Sequence, residues 1–161
     1  MAKRIILYML LVTVCNCKPL PTFAQLQIYQ FEQIDSLQKI QPRPVFIFIY
    51  TTWCKYCAAM EQITLKDKSI IVALNEKYYC ILLDAETKQD IFFNNHLFKY
   101  RATGDKTGSH ELAEQLAFIN GQIAFPTICI LNLKKEIIFQ HSNYISSADL
   151  KPILCSLSDH K

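Results

Sequence analysis

Hydrophobic positions recur along this chain in two rhythms, continuous short runs and spacings of three to four, and these predict strands and helices in turn. The run Val45-Phe46-Ile47-Phe48-Ile49-Tyr50-Thr51 carries no charge and is bounded by Pro44 and by Thr52 and Trp53. It predicts a strand buried on both faces. Tyr79-Cys80-Ile81-Leu82-Leu83, ending at Asp84, predicts a second such strand, and Thr127 to Leu133 a third. Helical spacing appears at Phe31, Ile34 and Leu37, before Pro42 and Pro44 forbid continuation. It returns at Ile70, Ile71, Leu74 and Tyr78 behind a cap at Ser69, and at Leu112, Leu116 and Ile119 between a cap at Ser109 and a stop at Gly121.

Shorter signals fill the gaps. Leu26 to Tyr29 reads as a brief strand-like entry. Ile91 to Tyr100 reads as two short strands around Asn94-Asn95, a hairpin inserted between the second and third buried strands, with a polar loop from Arg101 to Gly108 after it. A turn at Lys134-Lys135 leads to a strand from Glu136 to His141. The last helix is expected after Asp149 rather than Ser146, because Pro152 is tolerated only in a first turn. Together these elements predict an α/β fold, a central mixed sheet flanked by helices on both faces.

With 161 residues, 51% of them hydrophobic and only 3 glycines, the chain suits one well-buried domain. The formal charge of +3 is misleading. Lys3, Arg4 and Lys18 lie in the first 24 residues, which hold no acid, and setting them aside from the 17 basic residues leaves 14 against 14 acidic ones. No basic surface for nucleic acid is expected. Residues 1–24 read as an export signal, with Lys3 and Arg4 ahead of an apolar stretch from Ile5 to Val14, and Thr22-Phe23-Ala24 before Gln25 as the cleavage site. A spanning helix needs about 20 apolar residues, and Asn16, Lys18, Pro19 and Pro21 interrupt this one. A lipid anchor on Cys15 or Cys17 is the competing reading, weakened by Val14 and Asn16 where small residues are wanted. The expected mature form is residues 25–161, periplasmic or secreted and not membrane-spanning.

Export leaves five of the seven cysteines, Cys54, Cys57, Cys80, Cys129 and Cys155. Cys80 and Cys129 sit inside apolar strands and read as small buried hydrophobes. Cys155 reads as a structural thiol, with an intermolecular bridge as the alternative, and His96, His110, His141 and His160 read as surface or loop residues. Cys54 and Cys57 differ, because they stand where the first buried strand turns into a helix. Unpaired N–H groups at a helix N-terminus favour a thiolate on Cys54, and Lys55 adds a cation. Cys57, one turn on, is placed to resolve a mixed disulfide formed at Cys54. Trp53 would pack beside the pair, limiting water and offering a partner an apolar platform. Half a zinc site is the competing reading, but zinc needs four ligands and no second CxxC or closely spaced His pair exists. No cofactor is expected.

Trp53-Cys54-Lys55-Tyr56-Cys57 after an apolar strand resembles the active site of the thioredoxin superfamily. Phe125-Pro126-Thr127 ahead of a strand is similar to that family's cis-proline loop. From Phe46 to Glu86 the chain looks most like the C-terminal domain of DsbD, a periplasmic electron relay, and its small secreted relatives. The resemblance implies a thioredoxin-like fold with an added hairpin near 91–100. It also implies a thiol-disulfide oxidoreductase, acting as a reductase or isomerase through Cys54 and Cys57. Trp53, Lys55, Tyr56, Phe125 and Pro126 would contact substrate. Expected partners are proteins bearing disulfides or thiols and an upstream redox protein. Two departures stand out: Lys55-Tyr56 matches no familiar pair between the cysteines, and the buried Asp of familiar thioredoxins is replaced by Phe48. Cys57 must then lose its proton to water, Glu61 or substrate. The alternative function is a non-catalytic module that holds unfolded or Cys-bearing partners.

Overall fold

The computed structural model describes residues 25–105 and 107–158, so the expected leader and its cleavage point lie outside the described residues. A 3-10 turn, Phe31–Gln33, leads into α1 (Ile34–Ile40), followed by β1 (Val45–Tyr50), α2 (Lys55–Ala59), α3 (Lys68–Lys77) and β2 (Tyr79–Asp84). Next come β3 (Ile91–Phe93), β4 (His96–Phe98), β5 (Tyr100–Ala102), β6 (Gly108–His110) and α4 (Glu111–Ala117). The chain closes with β7 (Phe118–Ile119), β8 (Gln122–Ile123), β9 (Thr127–Leu131), β10 (Ile137–Ser142) and α5 (Ser147–Leu157).

The central sheet has the order β10-β9-β1-β2, with β1 parallel to β2 and antiparallel to β9. This is the mixed sheet that the hydrophobic pattern predicts, in the thioredoxin-like arrangement that the resemblance implies. Alternation along β1 explains why the run had to be apolar throughout. Val45, Ile47 and Ile49 face one core with Ile34, Ile81, Leu112 and Leu116, while Phe46 and Phe48 face another with Cys57, Met60, Ile70, Leu74 and Leu154. Helices α1 and α4 therefore cover one face, and α2, α3 and α5 the other. Each fully buried large side chain of β1 contributes roughly 1.5–3 kcal/mol through removal from water.

The hairpin at 91–98 forms as expected. Ile91 pairs with Phe98 and Phe93 with His96, and Asn94 and Asn95 both take positive φ, 51° and 60°, as a two-residue turn requires. Its inner side chains Ile91, Phe93 and Phe98 join the core, which is why a short hairpin holds its place.

Several expected boundaries are corrected. Asp67, not Ser69, caps α3: its Oδ1 accepts from Ser69 N at 2.8 Å and Ile70 N at 3.3 Å, and a carboxylate competes better for these N–H groups than a hydroxyl. The segment after Tyr100 is a second hairpin, β5–β6, rather than a plain loop. Helix α4 is capped by His110 instead of Ser109 and stops at Ala117, because the chain folds back as β7–β8. Gly121, with φ 84°, serves that turn beside Asn120 at φ 51° and does not terminate the helix.

Ser146, not Asp149, caps α5: its hydroxyl accepts from Asp149 N at 3.3 Å and donates to the Asp149 carboxylate at 2.6 Å. Pro152 thus lies inside α5; the carbonyl it leaves unbonded belongs to Ala148, an exposed residue that water can reach. The entry strand shrinks to one bridge, Ile28 beside Cys80.

Candidate active site

Where β1 ends, Thr51, Thr52 and Trp53 carry the chain over the sheet edge and set Cys54 at the mouth of α2. Cys54 keeps an extended backbone, φ −79° and ψ 111°, and its sulfur accepts from Cys57 N at 3.1 Å. The nucleophile candidate is thus the N-cap of its own helix, and an N–H group lies where negative charge on sulfur would develop. Cys54 and Cys57 are paired as a disulfide, with Cα atoms 5.2 Å apart. Cys54 is 8% exposed and Cys57 1%, so an incoming sulfur meets Cys54 first. After Ala59 the helix continues as a wide π turn, Met60–Thr64, pinned by the Thr64 hydroxyl donating to Ile145 O at 2.8 Å.

Opposite the pair, the Phe125–Pro126 peptide bond is cis, and the Phe125 carbonyl oxygen lies 3.5 Å from the Cys54 sulfur. Bonds to Ala124 O from the Thr127 hydroxyl at 2.7 Å, and from Asn143 N to Pro126 O at 2.9 Å, hold this loop. Residues 71 positions apart in sequence, Cys54 and Phe125, are therefore brought together.

Trp53, expected beside the pair, is turned to solvent and tied to Glu86. It is 67% exposed, and its Nε1 donates to Glu86 Oε1 at 3.0 Å. Lys55 and Tyr56 are exposed on the first turn of α2. The exposed Ile63, Phe118 and Ile123 add further apolar surface, the last two on the hairpin that runs into Phe125. Glu86 is the residue that sequence reasoning missed. The parallel register pairing Tyr50 with Asp84 brings it beside the site, and its own N–H donates to Asp84 Oδ1 at 3.0 Å. The Asp-x-Glu pattern behind a buried strand was the only available signal.

Beneath the pair, Phe48 is fully buried and stacks on Tyr50, rings 5.8 Å apart and 10° from parallel. Among the described residues the buried polar side chains are Thr51, Thr64, His110 and Thr127, so no buried carboxylate serves Cys57. Burial, then the charges of Asp84 and Glu61, raise the Tyr50 phenol above its usual range. Cys80 and Cys129 are buried on opposite faces of the sheet, and desolvation pushes both thiols up to about 12. Neither forms a thiolate near neutral pH. Cys155 is unpaired and exposed on α5, contrary to its reading as a structural thiol. His96 is exposed, His141 half-buried, and His160 lies outside the described residues. Among the described histidines His110 breaks the surface expectation, being fully buried. Among the described residues no group of three or more His, Cys, Asp or Glu is arranged to hold a metal ion, and no helix is long and apolar enough to cross a membrane.

With this geometry in view, the family model described as "Thioredox_DsbH: Protein of unknown function, DUF255" matches residues 27–151. No curated protein matches the chain. Among solved structures, the chain is similar to a DsbH oxidoreductase at 14% identity, over 87% of this chain and 90% of that one, with a TM-score of 0.59. It is similar to a thioredoxin from Thermus thermophilus at 18% identity, over 83% and 88%, TM-score 0.59. The reduced C-terminal domain of Neisseria meningitidis DsbD is similar at 14% identity, over 78% and 90%, TM-score 0.51. At these identities the likeness establishes the shared fold.

Proposed function

The chain belongs to the Thioredox_DsbH family, and from that membership we propose that it is an exported thiol-disulfide oxidoreductase exchanging disulfides with partner proteins through Cys54 and Cys57. The observation that carries this reading is the pair itself. Cys54 and Cys57 form a disulfide at a helix mouth, face the Phe125 carbonyl, and offer one sulfur to solvent while hiding the other. Family membership and the thioredoxin-like fold support thiol-disulfide redox chemistry. The basic and apolar leader at residues 1–24 supports export to the periplasm or the exterior.

In the reducing direction the Cys54 thiolate attacks one sulfur of a partner disulfide. A Cys54–partner S–S bond forms, the partner S–S bond breaks, and the departing partner thiolate takes a proton from solvent. Cys57 then loses its proton to water or to the departing partner and attacks the Cys54 sulfur. The Cys54–Cys57 bond forms and the second partner thiolate leaves. Two electrons pass from the CxxC pair to the partner, and a dithiol protein upstream must return them. Trp53, Lys55 and Tyr56, exposed next to Cys54 in the chain, and the Phe125–Pro126 loop facing its sulfur are proposed to contact the partner chain.

A trapping experiment tests the assignment. Cys57→Ser should accumulate mixed disulfides with partner proteins that disappear on adding dithiothreitol, and Cys54→Ser should accumulate none. A protein that only holds its partners would give no covalent adduct in either variant, and that result overturns the proposal.

A further inference from the structure

Besides the two buried thiols and the buried tyrosines, His110 is a buried titratable side chain that the exchange chemistry leaves unused. It is fully buried at the junction of β6 and α4. Its Nδ1 accepts from Leu112 N at 3.3 Å, capping α4, while its Nε2 lies 3.1 Å from Gln89 O. Both contacts are satisfied together by one form alone, the neutral imidazole with its proton on Nε2. Its backbone makes a third tie, His110 N donating to Ala85 O at 2.7 Å. One residue thus fastens both ends of the stretch Ala85 to Gln89, and within that stretch stands Glu86, the carboxylate that holds Trp53.

From this geometry we propose that His110 is a positioning residue for Trp53, acting through the Glu86-bearing loop, and that protonation of its imidazole displaces that loop. A second proton on Nδ1 would face the Leu112 N–H instead of accepting from it, while Nε2 still donates to Gln89 O, so the ring is pushed off its cap and draws the tethered loop with it. Burial is the largest influence on the ring and lowers its pKa below the ordinary 6.5, against the opposing pull of the Gln89 carbonyl, Glu111, Asp90 and the Phe98 carbonyl.

The charged groups around it are few. Asp90 and Lys88 lie on the connection from β2. Lys99, between β4 and β5, exchanges bonds with Glu111. Arg101 on β5 sits 3.9 Å from Glu111 and 3.8 Å from Glu114. Asp90 and Glu111 are the anions toward which a charged ring would turn.

The proposal deepens the redox reading only in that Trp53 adjoins Cys54, and its test needs no redox partner. Trp53 is the only tryptophan of the chain, so intrinsic emission reports the Trp53–Glu86 contact directly. Emission of the oxidised protein beginning at Gln25 is followed from pH 7.5 to 5, with circular dichroism confirming that the fold persists. The parent should show one transition with its midpoint below the ordinary histidine value of about 6.5. Glu86→Ala should already emit at pH 7.5 as the parent does at pH 5, with no transition between. Glu86→Gln keeps an acceptor without a titrating carboxylate and should retain the transition.

His110→Asn keeps the cap and loses the Gln89 tether, while His110→Gln keeps a donor for Gln89 and loses the cap. Each should lose the transition. A parent emission that is flat with pH, or a transition that survives in either His110 variant, overturns the proposal. If one variant fails to fold, the other and the Glu86 pair still decide. Lost disulfide exchange with an intact emission transition would count against the redox reading alone.

Discussion

Replacing Cys54 separates its chemical role from its structural one, because its sulfur does two things. It is the more accessible member of the redox pair, and it accepts from Cys57 N as the N-cap of α2. Serine cannot exchange disulfides but is among the best N-caps, whereas alanine can do neither. Its hydroxyl can accept from Cys57 N and turn its proton toward the Phe125 carbonyl, which lies 3.5 Å from the present sulfur. Both variants lack the Cys54–Cys57 bond, so whatever that bond contributes cancels between them.

The difference left is one capping bond, worth about 1 kcal/mol within a range of roughly 0.5–2. With a urea dependence of roughly 1–3 kcal/mol per molar for a domain of this kind, Cys54→Ser should unfold about half a molar later than Cys54→Ala. Urea unfolding under dithiothreitol, followed by far-ultraviolet circular dichroism, measures that gap, and insulin reduction measures activity. Both variants should be inactive. Equal midpoints, or an earlier midpoint for serine, would show that the sulfur does not cap the helix; residual activity in either variant would refute the nucleophile assignment.

Alkylation distinguishes the remaining thiols. Native oxidised protein beginning at Gln25, treated with iodoacetamide at pH 8, should gain one adduct by mass spectrometry, on exposed Cys155. The thiols of Cys80 and Cys129, pushed up to about 12 by burial, stay protonated at pH 8 and inaccessible, and labelling of either in the folded state would contradict their burial. Asp67 carries an acid-dependent share of stability. Hydrogen bonds from Ser69 are the largest cause lowering its carboxyl pKa below 3.8. Its contribution is therefore complete above the unfolded value and is lost as pH falls through the lower folded one. Asp67→Asn keeps a cap without a titrating group, so its urea midpoint should fall less than the parent's between pH 5 and pH 3.

Much of the architecture could be read from side-chain pattern because that pattern reflects local physics. An uncharged run such as Val45–Tyr50 is stable only when covered on both faces, and the two core clusters supply that cover. Asn94-Asn95 between short apolar segments marks a hairpin because asparagine tolerates positive φ, and the thiol pair at a strand-to-helix junction needs only its own neighbours. Where several candidates stood within a few residues, pattern did not choose correctly. Ser69 or Asp67, Asp149 or Ser146, and Ser109 or His110 all have capping chemistry, and the backbone path decided which reached the free N–H groups.

Three contacts that shape the site are made by the tertiary structure, and only the first of them was implied by the resemblance to the thioredoxin superfamily. Phe125 meets Cys54 because β9 returns antiparallel beside β1. Glu86 meets Trp53 because β2 runs parallel to β1 in a register that sets Asp84 next to Tyr50. His110 is buried because the connection from β2 folds across the start of α4 and presents the Gln89 carbonyl to its ring. The residues and their chemistry were present in the sequence from the start. Bonding between segments tens of residues apart is a property of the packed sheet, which makes neighbours of positions that no local period relates.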